Sequence, residues 1–377
     1  MKEKAVDLIK QETVLCAALA LAAVSMLFVH PDAGYASYID FRTLSILFCL
    51  MGVMSGLQRT GVFQWVAQAL LSRVKKARQL AWILVLLCFF SSMAVTNDVA
   101  LITFVPFTFI VLDLAGAEAR KRLLVPVVVL QTVAANLGSM LTPIGNPQNL
   151  YLYGKAGLSL GAFLGLMLPY TLASLVLILI WSAVQTRGCD GPIEVAFAEK
   201  VRLSDKKAQL AAYLLLFVLA LLTVARVLPY GLTLVLTAAG LLLADRSIFR
   251  RVDYGLLLTF VGFFIFIGNM GRLPVFYGLL QRIVSGHELL AGAAASQVIS
   301  NVPAALLLSG FTEDLSALIV GVNIGGLGTL IASMASLISY KLVAREAGEV
   351  KGAYFRCFTW TNLGFLAVLL PLALLFA

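Results

Sequence analysis

The sequence predicts an all-α polytopic membrane protein built as an inverted repeat, with about nine full spans, two re-entrant hairpins and two broken helices. Three observations carry this. Of 377 residues 61% are hydrophobic and only 12% charged, with a mean hydropathy of +0.96, where a soluble domain carries about 25% charged residues. Four of the apolar stretches are interrupted by clusters of Asn, Asp, Thr, Ser, Gly and Pro. The pattern of the first half also recurs in the second.

At about 20 residues per span, full crossings fall near 13–30, 41–57, 121–149, 159–185, 207–225, 229–244, 254–270, 316–340 and 357–377. The first run follows Lys2, Lys4 and Lys10 and reads as a span rather than a cleaved signal segment, because a counterpart lies later in the chain. The stretches 79–115 and 289–312 carry a polar break in the middle and read as re-entrant hairpins. With the N-terminus inside and the C-terminus outside, every basic residue except Arg42, Lys155, Arg226, Arg272 and Arg282 falls on the cytoplasmic side. Cytoplasmic loops of membrane proteins are enriched in Lys and Arg, so the net charge of +9 reads as an orientation signal and not as a nucleic-acid surface.

The segment 186–206, mixed in charge and broken by Gly191 and Pro192, is a cytoplasmic linker. It separates a first inverted repeat, 1–185, from 207–377, an extra helix followed by the second repeat. Asp40–Phe63 aligns without gaps on Asp253–Phe276, with Asp40/Asp253, Leu44/Leu257, Arg59/Arg272, Val62/Val275 and Phe63/Phe276 identical. The short pieces Gly61–Arg73 and Pro274–Ile283 follow and could lie flat at opposite interfaces. The hairpin breaks match as Thr96-Asn97-Asp98 against Ser300-Asn301-Val302. The broken helices match as Asn136-Leu137-Gly138 with Thr142, against Asn323-Ile324-Gly325 with Thr329. Each repeat crosses an even number of times, so the extra helix at 207–225 inverts the second one.

A break in a membrane helix leaves carbonyls at one half-helix end and N–H groups at the next. Carbonyl ends favour a cation and N-terminal ends an anion. Asp98, the one acid placed deep in a membrane element, is therefore the first candidate for a coupling ion. Thr142 before Pro143 has the pattern of an N-cap with proline in the first turn. The competing reading is structural: Asn as interhelical glue, Gly as close packing, Asp98 as a cap, Arg59 and Arg272 snorkelling to headgroups. The five cysteines are scattered singly and only two histidines are present, which argues against a metal centre or disulfide framework. No phosphate loop of the GxxxxGK[ST] kind occurs, and an intramembrane aspartyl protease would need two facing carboxylates. The chain is expected to be neither an enzyme nor cofactor-dependent.

At these residues the chain resembles the ion transporter superfamily, which holds citrate-transporter-like permeases, sodium-coupled divalent anion symporters, arsenite permeases and sodium/proton antiporters. TNDVALITFVPF and NLGSMLTPIGNPQNLYLY carry the resemblance, with SNVPAALLL and NIGGLGTLIASM as second-repeat partners. It covers nearly the whole chain. It implies hairpin tips that hold substrate and sodium beside the broken helices, a homodimer and elevator-type movement. Carried over, the substrate contacts are Asn97, Thr142, Ser300, Asn301 and Thr329. The coupling-ion contacts are Thr96, Asp98, Asn136, Gly138, Asn146, Asn323 and Gly325. Both tips depart from the Ser-Asn-Thr of the dicarboxylate symporters, at Asp98 and at Val302. The expected function is ion-coupled secondary transport of a small carboxylate or oxyanion across the inner membrane, with Na+ or H+ as coupling ion. Sodium/proton antiport and arsenite permeation remain open alternatives.

Overall fold

The computed structural model describes residues 12–376 apart from 73, 194–196, 198–200, 202, 204 and 205. Lys2, Lys4, Lys10, Arg73, Lys200 and Arg202, which contribute to the charge pattern, lie outside the described residues. The described elements are helices, and eight are long and apolar enough to cross a membrane.

The chain begins with α1 (Thr13–Ser25), the short α2 (Tyr35–Tyr38) and α3 (Phe41–Thr60). After Gly61 comes α4 (Val62–Leu71), then a helical pair, α5 (Ala77–Ala94) and α6 (Asn97–Leu114). α7 (Ala117–Ser139) ends in an irregular stretch before α8 (Pro147–Lys155), and α9 (Leu160–Gln185) closes the first half. The second half runs α10 (Lys207–Val224), α11 (Tyr230–Ala244), α12 (Tyr254–Gly271) and α13 (Pro274–Val284). A second pair follows, α14 (Glu288–Ile299) and α15 (Asn301–Leu308), then α16 (Leu315–Ile324), a break, α17 (Met334–Glu346) and α18 (Lys351–Phe376).

These helices differ in length from the expected spans. α1 and α11 have 13 and 15 residues, short of the roughly 20 that a perpendicular crossing needs. Each arm of the first pair has 18 residues, about 27 Å at 1.5 Å per residue, whereas the arms of the second have 12 and 8. The span expected at 121–149 is an α7 that stops at Ser139 and a separate α8.

Contacts between elements fall into matched pairs. α1 packs on α12 and α11 packs on α3, so each half places its first helix against the other half's second. α5 and α6 pack on α7, and α14 and α15 pack on α16. α17 lies against α6 and α8 lies against α15, a second exchange between halves. The core runs through these crossings: α7 is buried along most of its length, and α16 along its last seven residues. α9, α10 and α18 leave about two thirds of their apolar windows outward, as lipid-facing helices do.

Individual bonds repeat the pattern. Asp40 caps α3 by accepting from Thr43 N at 3.0 Å, and Asp253 caps α12 by accepting from Leu256 N at 2.9 Å. Arg272 pairs with Asp32 at 2.6 Å, and Arg59 pairs with Asp245. Asp32 and Asp245 stand at the same chain spacing as Arg59 and Arg272. The two arginines are therefore ion-paired across the halves, at segment ends where their side chains stay partly exposed. The described part of the linker docks on the entrance to α5, where Arg78 N donates to Cys189 O at 2.9 Å and Ile193 N donates to Lys75 O at 3.0 Å.

Candidate functional site

The two breaks meet at the centre of the molecule in a ring of amides and hydroxyls. Asn136, near the end of α7, accepts from Ser333 Oγ at 2.9 Å through Oδ1 and donates through Nδ2 to Ser336 Oγ at 3.4 Å. Asn323, near the end of α16, accepts from Asn146 Nδ2 at 3.2 Å and donates to Asn149 Oδ1 at 2.6 Å. Asn146 and Ser333 are the N-caps of α8 and α17. Each broken-helix asparagine is thus clamped by the first turn of the other half's second segment. All six side chains are at most 4% exposed, and buried amides of this kind require such partners.

Both tips are tied to the breaks by the same backbone bond. Asn97 N donates to Gly145 O at 3.0 Å and Asn301 N to Ala332 O at 2.9 Å. Asn97 Nδ2 also donates to Asn136 Oδ1 at 3.1 Å, which joins the first tip to the ring. Asn301 accepts from Ser300 Oγ at 3.4 Å.

Several predicted contacts take other roles. Thr142 donates to Met93 O at 2.6 Å and Thr329 to Gln297 O at 2.9 Å, so both hydroxyls latch a break onto the hairpin arm behind it. Thr142 is not an N-cap: α8 starts at Asn146, with Pro147 in its first turn. The motif had been read four residues early, since Thr-Pro and Asn-Pro both satisfy it. Gly138 and Gly325 permit close approach. A Cβ on Gly138 would collide with the carbonyl of Phe89, and one on Gly325 would stand 2.6 Å from Ala293 Cα. Thr96 caps α6, accepting from Val99 N at 3.4 Å.

Asp98 borders these amides through Asn97 and Asn146. It lines a cavity of about 380 Å³ with Thr96, Asn146, Gln58 and Ser55, under apolar walls from α3. Its Oδ1 is buried and has no hydrogen-bond partner, although buried polar atoms are nearly always bonded. Arg251 and Asp253, at the start of α12, line the same cavity. Asp253 accepts its capping bond through Oδ1 and brings a second carboxylate to the wall of the Asp98 cavity. At the corresponding position of the second tip stands Val302, 7% exposed. Behind that tip the side chain of Gln297 accepts from Thr329 N at 3.0 Å and donates to Gly325 O at 2.8 Å and Leu327 O at 2.9 Å. Its counterpart in the first half is Met93. The second break thus has its backbone groups bonded by a side chain, while the first faces an open cavity.

The citrate transporter family matches residues 8–316. The chain belongs to that family. It is 31% identical over 331 residues to the inner membrane protein YbiR of Escherichia coli, covering 86% of each chain. It is 32% identical over 304 residues to an uncharacterized transporter of Methanocaldococcus jannaschii, covering 81% of each. Over 190 residues it is 32% identical to the silicon efflux transporter LSI3 of Oryza sativa, 48% of this chain and 38% of that one. This member of the citrate transporter family is a membrane transporter, multi-pass in the inner membrane.

Ser333, Ser336, Asn149 and Asp253 were not among the residues singled out for the site. The first three were reachable: the spacing that carries Asn136 to Asn323 also carries Asn146 to Ser333 and Asn149 to Ser336. Asp253 had no local signal, since only packing brings the start of α12 to the tip of the first hairpin.

Proposed function

We propose that this citrate transporter family member is an ion-coupled secondary transporter moving a small carboxylate or oxyanion, with Asp98 as the group that takes the coupling Na+ or H+. The supporting observation is the unpartnered Asp98 oxygen facing a chamber large enough for ion and water. A carboxylate left without donors in a poorly polar wall favours capture of a cation. The two halves form an inverted repeat with the N-terminus inside, and the matched contacts of the halves support this reading. On this topology the Asp98 cavity opens toward the cytoplasmic side, where Arg251 lies, and the chain works as a homodimer.

The test is uptake by purified protein in liposomes under imposed sodium or pH gradients. Citrate and a soluble silicon oxyacid belong in the substrate panel because the family is named for citrate and one relative is named a silicon efflux transporter. Asp98→Asn is expected to abolish gradient-driven accumulation while leaving counterflow exchange of bound substrate measurable. Accumulation in Asp98→Asn with unchanged ion dependence would exclude Asp98 as the coupling residue.

A second reading, sodium/proton antiport or permeation of an uncharged oxyacid such as arsenious acid, is favoured by the cavity's own charge. Asp98 and Asp253 outnumber Arg251 there. Sodium flux driven by a pH gradient with no anion present would support it over symport.

A further inference from the structure

Toward the C-terminal end of α8 lies a second cavity, of about 270 Å³, lined by Tyr38, Asp40, Arg42, Tyr151, Gly154, Lys155 and Phe264. Three of its lining residues correspond to lining residues of the Asp98 chamber. Asp40 corresponds to Asp253, Tyr38 to Arg251 and Phe264 to Met51, all at one chain spacing. Its charge is reversed: Lys155 and Arg42 face one carboxylate, Asp40, which is already bonded to Thr43 N at 3.0 Å and Thr43 Oγ1 at 2.5 Å. Lys155 and Arg42 are two of the five basic residues that depart from the cytoplasmic placement of charge.

Simple helix-end chemistry explains some of this cluster. Arg42 Nη2 donates to Thr223 O at 3.3 Å and Val224 O at 3.4 Å, and Arg226 donates to Gly157 O at 3.3 Å, as cations do at C-terminal carbonyls. Lys155 is different. Its Nζ donates to two hydroxyls, Tyr151 Oη at 3.2 Å and Ser309 Oγ at 3.3 Å, and those hydroxyls bond each other at 2.9 Å. No carboxylate pairs with it among the described residues, and an ammonium has three donors. Arg42 Nη1 approaches over Gly154, where a Cβ would come within 3.2 Å.

An independent observation lies one turn deeper. Gln148 is 1% exposed, and both Nε2 and Oε1 are without a partner. Spacing along α8 places Gln148, Tyr151 and Lys155 on one face, and α8 packs on α15, which begins at the second hairpin tip. A buried amide with neither end bonded destabilises the fold, so a ligand able to bond it is the physical reason to keep it.

We infer that the Lys155–Arg42 cavity is a second binding site, a vestibule for a small soluble oxyanion on the side of the membrane opposite Arg251, with Gln148 as the next polar contact inward. The inference rests on the anion-transport reading of the Asp98 chamber. It assigns coupling and substrate recognition to opposite ends of α8: Asp98 takes the cation near its start, and Lys155, Arg42, the Tyr151 and Ser309 hydroxyls and Gln148 take the anion.

Acylation of Lys155 by a water-soluble amine reagent, read by peptide mass spectrometry on the full chain in nanodiscs, tests this. Phosphate, sulfate and citrate are compared with chloride at equal ionic strength, in discs with and without anionic lipid. A bound oxyanion at twice its Kd slows acylation about threefold. The protection is expected to persist in Asp98→Asn, because the coupling site is elsewhere, and to be lost in Arg42→Gln. Failure of the coupling reading would show as unchanged ion dependence in Asp98→Asn and would leave this protection intact. In liposomes Lys155→Gln is expected to raise KM about tenfold, from one face of the membrane only, as loss of a charge-assisted bond does. Lys155→Arg restores it. Acylation that no oxyanion slows beyond chloride, or slowing that follows anionic lipid alone, overturns the inference.

Discussion

Asn136 and Asn323 do the same work in opposite halves, and the partners of each come from the far side of the break. Removing one strips bonds from several buried groups at once: without Asn323, Asn149 Oδ1 loses its donor and Asn146 Nδ2 keeps only Ser139 Oγ. Asn323→Ala is therefore expected to lower stability by about 1–3 kcal/mol, read as a fall in melting temperature of the detergent-solubilised protein. Combining Asn136→Ala with Ser333→Ala should cost less than the sum of the two, since they share one bond. Gln148 predicts the opposite sign. Gln148→Leu removes two unpartnered polar atoms at similar volume, so melting temperature is expected to rise while transport falls. A purely structural glutamine would leave transport unchanged. Asp98 was legible in the sequence because an acid among apolar residues is conspicuous. Ser333 and Ser336 were reachable only through the repeat spacing from Asn146 and Asn149, because serines in a membrane helix are common and carry no signal of their own.

At the scale of elements, each half joins a helical pair to a broken helix through three matched contacts: the tip N–H bond, the threonine latch and the glycine approach. Gly138→Ala and Gly325→Ala should both disturb packing. The first is expected to be worse, because its Cβ would strike the carbonyl of Phe89 while α7 is buried along most of its length. Loss of folded monodisperse protein in size exclusion reads the difference. Ser300 joins α14 to α15 at φ 74° and ψ 154°, a backbone region open mainly to glycine and costing of order 1–3 kcal/mol for other residues. Ser300→Gly is expected to raise the melting temperature, whereas transport measured in parallel reports whether the second tip needs its hydroxyl. Thr96 in the matching place has an ordinary extended backbone, φ −67° and ψ 152°. The existence and order of these elements were readable from hydropathy and polar breaks. Their ends were less so: the start of α8 depends on which carbonyls α7 leaves free, and a Thr-Pro and an Asn-Pro in one short stretch look alike without that.

Over the whole molecule, crossed contacts hold the halves together. The ion pairs Arg272–Asp32 and Arg59–Asp245 both join a second helix of one half to the loop after the first helix of the other. The guanidinium bond from Arg272 holds the Asp32 carboxyl below its ordinary value of 3.8, and bonds from Ser247, with Arg59 alongside, do the same for Asp245. A carboxyl whose folded pKa is depressed contributes stability that is fully present above its unfolded pKa and is lost as pH falls through the folded value. The stabilisation by both pairs should therefore be constant at neutral pH and fade only below about pH 4. Both are solvent-exposed, so salt should weaken them. Reversing one pair, Asp32→Arg with Arg272→Asp, is expected to recover most of the melting temperature lost in either single variant.

The sequence by itself determined the membrane class, the order of helices and breaks, the repeated residues and the singularity of Asp98, because hydropathy, punctuation and charge are local properties. Tertiary structure alone decided which half completes which site. The exchange of α1 with α11, and of α8 with α17, between halves places Ser333 on Asn136 and Asp253 beside Asp98. It also brings Lys155, at the end of α8, to Ser309 of the second half. Those partners are distant in the chain, and contact across that distance is fixed by packing geometry, which local residue patterns do not encode.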